Sequence, residues 1–111
     1  MAFEEAANLD ELDLEEPLLV ELAVPVCLVR LGEDDVRAVH NTCSHQRQPL
    51  HEGMVEDGTL VCAAHASRFD LGTGESVGIP EVPAIPVYAC KVEDSVVLVD
   101  LDQPLNAAEP A

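Results

Sequence analysis

The apolar positions fall into short runs separated by turn formers, and no long 3.6-residue period appears. Leu18 to Leu31 reads as strand, with Pro25 marking an edge or a bulge. Gly32 to Asp35 is a turn, so Val26–Leu31 and Val36–His40 form a predicted hairpin. Val55 to Val61 predicts a second hairpin about Asp57-Gly58, a favoured two-residue turn. Prolines 80, 83 and 86 exclude a central strand or helix interior between Val77 and Pro86. Val87 to Val92, a turn at Glu93-Asp94 and Ser95 to Val99 make a third hairpin. In its second strand Val97 and Val99 alternate with Val96 and Leu98, which predicts cover on both faces. The stretch before Pro17 is acidic and weakly patterned, with room for a helical turn or two at Ala6 to Leu14. Residues 103–111 read as a flexible tail. Short strands joined by Gly, Pro and Asp turns predict an all-β architecture, a barrel or stacked small sheets.

Size and charge narrow the picture. With 111 residues, 48% of them apolar, the chain is expected to fold as one domain spanning 1–111 and to expose roughly 6,000 Å². It carries 22 acidic and 5 basic residues, a net charge of −17. Such a body cannot neutralise a nucleic-acid backbone and is repelled by an anionic membrane surface. No apolar run approaches the roughly 20 residues that span a bilayer. The start, Met1-Ala2-Phe3-Glu4-Glu5, lacks the basic region of a signal peptide, so a cytoplasmic location is expected. The charge favours a monomer. In that compartment Cys27, Cys43, Cys62 and Cys90 are not expected to pair as disulfides.

Two of these cysteines sit in short motifs with histidine: Cys43-Ser44-His45 and, beginning seventeen residues after His45, Cys62-Ala63-Ala64-His65. A lone cysteine is ordinarily a packing residue. Two pairs, each leaving a predicted strand in a turn-rich segment, bring two thiolates and two imidazoles to a shared point. Two sulfurs with two nitrogens suit zinc or an iron–sulfur cluster, and the ligand types alone do not separate them.

The flanking residues resemble the Rieske family, whose [2Fe–2S] centre takes Cys-x-His from one loop and Cys-x-x-His from another. Pro49-Leu50 and Glu52-Gly53 after the first pair fit its pattern, as do Ser67-Arg68-Phe69-Asp70 and Thr73-Gly74 after the second. Gly78-Ile79-Pro80 stands where the family has its proline loop. The chain departs from the pattern at Arg47 and Ala66, where family members carry Gly. The resemblance implies a Rieske fold of stacked small antiparallel sheets. A cluster-binding region at about 41–80, made of two hairpin-like loops, would be inserted in a basal β domain. It implies one [2Fe–2S] cluster held by Cys43 and Cys62 on the inner iron and by His45 and His65 on the outer one. Neutral imidazoles ease reduction relative to thiolates. Ser67 matches a hydroxyl donor of high-potential members, but Phe69 replaces their Tyr. Their extra disulfide is also missing, because its positions are Gln48 and Ala64. Fewer donors to sulfur lower the potential, so a value on the order of −150 mV is expected. Pro80 would cover the cluster.

The other residues take plain readings. Cys27 and Cys90 are expected to be buried packing thiols, Tyr88 a packing residue, and His40 and His51 surface groups or neighbours of the ligands. Arg47 and Arg68 flank the two loops and, with His45 and His65, would form a docking spot less negative than the rest of the surface. No nucleophile–base arrangement, phosphate loop or second metal triad is present in the pattern. The resemblance therefore implies a one-electron carrier, not itself an enzyme. It would pass electrons from an NAD(P)H-dependent flavin reductase to a terminal ring-hydroxylating dioxygenase by transient docking. The alternatives are the small Rieske subunit of an assimilatory nitrite reductase and a zinc-bound interaction module.

Overall fold

The computed structural model describes residues 3–44, 48–63, 67–77 and 82–106. They form ten strands: β1 Glu4–Asn8, β2 Leu18–Glu21, β3 Pro25–Arg30, β4 Val36–His40, β5 Met54–Glu56, β6 Thr59–Val61, β7 Arg68–Asp70, β8 Ser76–Val77, β9 Val87–Glu93 and β10 Val96–Pro104. Six make one sheet in the order β1-β10-β9-β4-β3-β2, and β5-β6-β7-β8 make a second. All pairings between these strands are antiparallel. The all-β expectation of stacked small sheets holds, and the surface of 5903 Å² is that of a compact chain of this size.

Alternation along β3 explains the layering. Cys27 and Val29 point into one apolar cluster with Val39, Leu50, Leu60, Phe69 and Ile85, which lies between the sheets. Val26 and Leu28 point the other way, into a cluster with Leu12, Ala38, Tyr88, Val97 and Val99. β3 is thus buried on both faces, as is β4, whose Val39 joins the first cluster and Ala38 the second. In β10 Val97 and Val99 are buried while Val96 and Leu98 are half-buried.

Three local expectations are corrected. The N-terminal stretch contains strand β1, laid against Val96–Val99 of β10, and then a 3-10 turn at Leu9–Glu11. Glu4–Asn8 has no β-branched residue, so backbone pairing to an available edge decides its conformation. The last hairpin turns at Asp94-Ser95, both in the left-handed region, and Val96 faces Glu93. That is the primed geometry favoured by two-residue hairpin turns, one position later than expected. The tail does not begin at 103. β10 runs to Pro104, the Leu105 N–H donates to the Val87 carbonyl at 2.6 Å, and Asn106 is tied down on three sides. Residues 107–111 lie outside the described set. Pro25 opens β3 opposite Glu21, which suits a residue with no N–H to donate.

Candidate functional site

Cys43 and Cys62 each start a short loop closed in the same way. The Cys43 N–H donates to the Gln48 carbonyl at 2.8 Å, and the Cys62 N–H donates to the Ser67 carbonyl at 2.8 Å. A bridge between Thr42 and Pro49 narrows the neck of the first loop. Both thiols are buried in the cluster between the sheets, and the four cysteines form no disulfide. His45, Arg47, His65 and Pro80 lie outside the described residues, as do Ala64 and Ala66. The described part of the site is therefore its thiol half and the frame around it.

That frame contains residues the sequence pattern does not mark. Asn41 is buried; its Oδ1 accepts the His51 N–H and its Nδ2 lies 2.8 Å from His51 Nδ1. The amide nitrogen can only donate, so His51 Nδ1 is the accepting atom of this contact. The pair fixes the 3-10 turn Leu50–Glu52 against the start of loop one. Ser44 donates to the Pro83 carbonyl, fastening loop one to the segment that follows the proline loop. Gly53 is required by close approach: a Cβ there would stand 1.8 Å from the Val61 carbonyl oxygen and 3.2 Å from the Ala63 nitrogen. A bare backbone at 53 thus lets the turn after loop one lie on the strand leading into Cys62. None of these contacts is local, so a single sequence carries no signal for them beyond the Glu52-Gly53 match.

The Asp70…Gly74 motif is also explained. Asp70 Oδ1 accepts the N–H groups of Gly72 and Thr73 at 2.7 and 3.0 Å, shaping the turn between β7 and β8. Gly74 holds φ +76, and a Cβ would come within 2.2 Å of the Ile85 carbonyl oxygen. Asn106 Nδ2 reaches the carbonyls of Thr73 and Ile85, both at 2.8 Å, while its Oδ1 accepts the Val87 N–H at 3.1 Å. The C-terminal segment thereby staples this turn to the six-stranded sheet.

Ser67 and Phe69 are both buried, on alternate positions facing the same side. Ser67 Oγ has no hydrogen-bond partner among the described residues. Leaving a buried hydroxyl unsatisfied costs about 1–3 kcal/mol, so an acceptor is needed beside Cys62. A sulfur-rich group held by Cys43 and Cys62 would supply one, and two buried thiols beside an unsatisfied hydroxyl fit such a group.

Arg68 Nη1 lies 3.1 Å from Glu56 Oε1 across the sheet, so its positive charge is locally offset. Cys27 is buried, and desolvation pushes its thiol up to about 12. Cys90 packs unpaired against the second apolar cluster, as expected, but is only half-buried, and burial also raises its thiol to about 12. Tyr88 packs as expected, with its hydroxyl 3.3 Å from His40 Nδ1. His40 is buried under β9 rather than placed at the surface. No helix among the described residues is long and apolar enough to cross a membrane.

Comparison with known proteins adds to this geometry. Residues 4–89 match the family model described as the Rieske [2Fe-2S] domain. The anthranilate 1,2-dioxygenase ferredoxin subunit of Burkholderia cepacia is 34% identical over 94 residues, covering 84% of this chain and 86% of its own. The solved ferredoxin of carbazole 1,9a-dioxygenase from Nocardioides aromaticivorans IC177 superposes with a TM-score of 0.82 at 30% identity, over 89% of this chain and 97% of that one. A structure described as a nitrite reductase NADPH small subunit gives a TM-score of 0.81 at 18% identity, over 90% of this chain and 99% of that one. That last likeness is one of fold alone.

Proposed function

The chain belongs to the Rieske [2Fe–2S] domain family, and from that premise we propose how its residues serve as an electron-transfer ferredoxin component of a ring-hydroxylating dioxygenase system. When bound, the [2Fe–2S] cluster supplies one-electron redox chemistry at the protein surface. Cys43 and Cys62 would hold the cluster as thiolates, each at the first position of a loop closed by its own N–H. His45 and His65 would hold it as imidazoles. The Ser67 hydroxyl would donate to the bound group, and Phe69 would help keep water from it. Pro80 would serve as its cover, and Ser44 fastens loop one to Pro83 nearby in the chain.

The observation that carries this reading is the pairing of two buried cysteines, each opening an alike-closed loop, with the unpartnered Ser67 hydroxyl beside them. The partners are a flavin-dependent reductase that loads the carrier and a terminal oxygenase that unloads it. Docking is transient and uses the His45/His65 edge with Arg47; Arg68 contributes through its pairing with Glu56 rather than as a lone cation. The protein acts as a cytoplasmic monomer. No structural observation favours the nitrite reductase subunit over this reading.

The test is an absorption spectrum of the purified protein before and after dithionite, with EPR of the reduced sample. Visible bands that bleach and the low average g of a histidine-ligated [2Fe–2S] centre are expected. A colourless protein containing one zinc ion would overturn the reading. His45→Cys or His65→Cys should lower the potential, and an unchanged EPR spectrum would remove that histidine from the ligand set.

A further inference from the structure

Two shallow grooves meet on the flank of the second sheet. One, about 310 Å³, is lined by Gly53, Met54, Cys62 and Ala63 and so opens beside the second ligand loop. The other, about 550 Å³, shares Gly53 and Met54 and continues to Leu14, Glu15 and Glu16. Two of the most exposed large apolar side chains frame this surface, Leu14 at 60% and Met54 at 54%.

Leu14 is held outward by a rigid support. It bridges to Arg30, the Glu15 N–H donates to the Arg30 carbonyl at 2.8 Å, and the Arg30 side chain is anchored on the carbonyls of Leu12, Gly32 and Glu33. Glu15 itself sits at φ 60, a conformation that costs a non-glycine residue about 1 kcal/mol or more. The fold therefore tolerates backbone strain where it presents an apolar side chain to water. Around that side chain the rim is acidic, with Glu15, Glu16 and Glu52 at the groove edges. Among the described residues no cation offsets them: Arg37 pairs with Asp35, Arg68 with Glu56 and Lys91 with Glu93, and Arg30 is turned onto carbonyls.

Resting on the electron-carrier reading, we propose that this Leu14–Met54 groove is a docking seat for a redox partner that presents an apolar contact ringed by Lys and Arg. The apolar floor holds the complex, the acidic rim matches the partner's cations, and the groove's end at Cys62–Ala63 puts the contact next to the ligand loop. The seat is built from described residues of one flank and reaches the second ligand loop at Cys62 and Ala63.

The test uses the full-length holoprotein, reduced with dithionite and mixed in a stopped-flow instrument with oxidised cytochrome c, whose haem edge is ringed by lysines. Leu14→Gln and Met54→Gln alter exposed side chains without changing charge. Each should lower the second-order rate by about fourfold for every methylene that is no longer buried against the partner. The EPR spectrum and potential should stay at the wild-type values. Leu105→Gln, at an equally exposed leucine lining a separate cavity, should leave the rate unchanged. Wild-type rates in both groove variants, or an equal loss in Leu105→Gln, would overturn the docking seat while leaving the carrier reading intact. A wild-type protein that shows no bleachable cluster, or that never reduces cytochrome c, would overturn the carrier reading and the seat with it.

Discussion

Gly53→Ala tests whether the two ligand loops depend on a bare backbone where they meet. The added methyl would lie 1.8 Å from the Val61 carbonyl oxygen, 3.0 Å from the Val61 carbonyl carbon and 3.2 Å from the Ala63 nitrogen. All three are main-chain atoms, so no flexible side chain can yield, and the two segments must part by more than about 1 Å to reach ordinary packing distances. The next residue, Met54, pairs with Val61 at the start of the β5–β6 ladder. Overpacking costs about 1–3 kcal/mol and loss of a ladder hydrogen bond about 1 more, a total of about 2–4 kcal/mol. Because the displaced atoms lead straight into Cys62, the loss should appear in cluster occupancy as well as stability. Gly58→Ala is the control: it also lies in the β5–β6 hairpin and holds φ +76, but nothing stands within 4 Å of its added methyl. It should cost only the left-handed backbone penalty of about 1–2 kcal/mol and keep its iron. The assay is iron and acid-labile sulfide per chain after identical purification, together with the urea midpoint. A Gly53→Ala protein with full iron and a midpoint no lower than that of Gly58→Ala would refute the steric reasoning.

Ser67→Ala separates two readings of a buried hydroxyl. If Oγ had no acceptor, its removal would stabilise the protein; as a donor to the cluster, its loss should lower the potential by roughly 40 mV, the equivalent of about 1 kcal/mol in a one-electron couple, measured by redox titration. Phe69→Tyr adds a hydroxyl on the same side of β7 and should raise the potential; no rise would mean the ring's edge faces away from the cluster. Cys27 stays neutral in the fold because its thiol is raised to about 12 from an ordinary value of 9.0. Its contribution is complete below pH 9 and falls by about 1.4 kcal/mol per pH unit as pH rises toward 12, because only the unfolded chain gains from ionisation. Urea midpoints between those pH values should fall less steeply in Cys27→Ala than in the wild type. Asn106→Ala removes three bonds that join Thr73, Ile85 and Val87 and should lower the urea midpoint by an amount equal to about 1–3 kcal/mol, with the cluster spectrum retained.

The parts of this molecule that were legible in sequence are those fixed by neighbours in the chain. Asp57-Gly58 announces its hairpin because both residues take left-handed conformations that suit them. Val26–Arg30 and Val36–His40 announce theirs as two apolar runs on either side of the Gly32–Asp35 turn. Where a partner distant in sequence decides, the pattern is silent. Glu4–Asn8 becomes a strand because β10 offers it an edge, and His40 is buried because Tyr88 of β9 covers it. Asn106 looks like tail but is fixed by three hydrogen bonds to residues far back in the chain. At the site the class of cofactor was legible in the cysteine and histidine motifs only together with the residues that flank them. The support of that site by Asn41, Ser44 and Gly53 was not, because each acts on backbone brought near only by folding.

The six-stranded sheet is continuous across the point where the chain leaves it. Val39 pairs with Val87, Ala38 with Tyr88, and the His40 N–H donates to the Pro86 carbonyl at 3.0 Å. Everything from Asn41 to Ile85 is thus an excursion that departs and returns through adjoining rungs of one ladder. Leu50, Leu60, Phe69 and Leu71 of that excursion pack in one apolar cluster with Cys27, Val29 and Val39 of the frame. Loop-closure entropy rises only slowly with length, so it is this shared core, not the closing of so long a segment, that binds the excursion to the sheet. A change at its tip that leaves these four side chains in place leaves the frame's core intact.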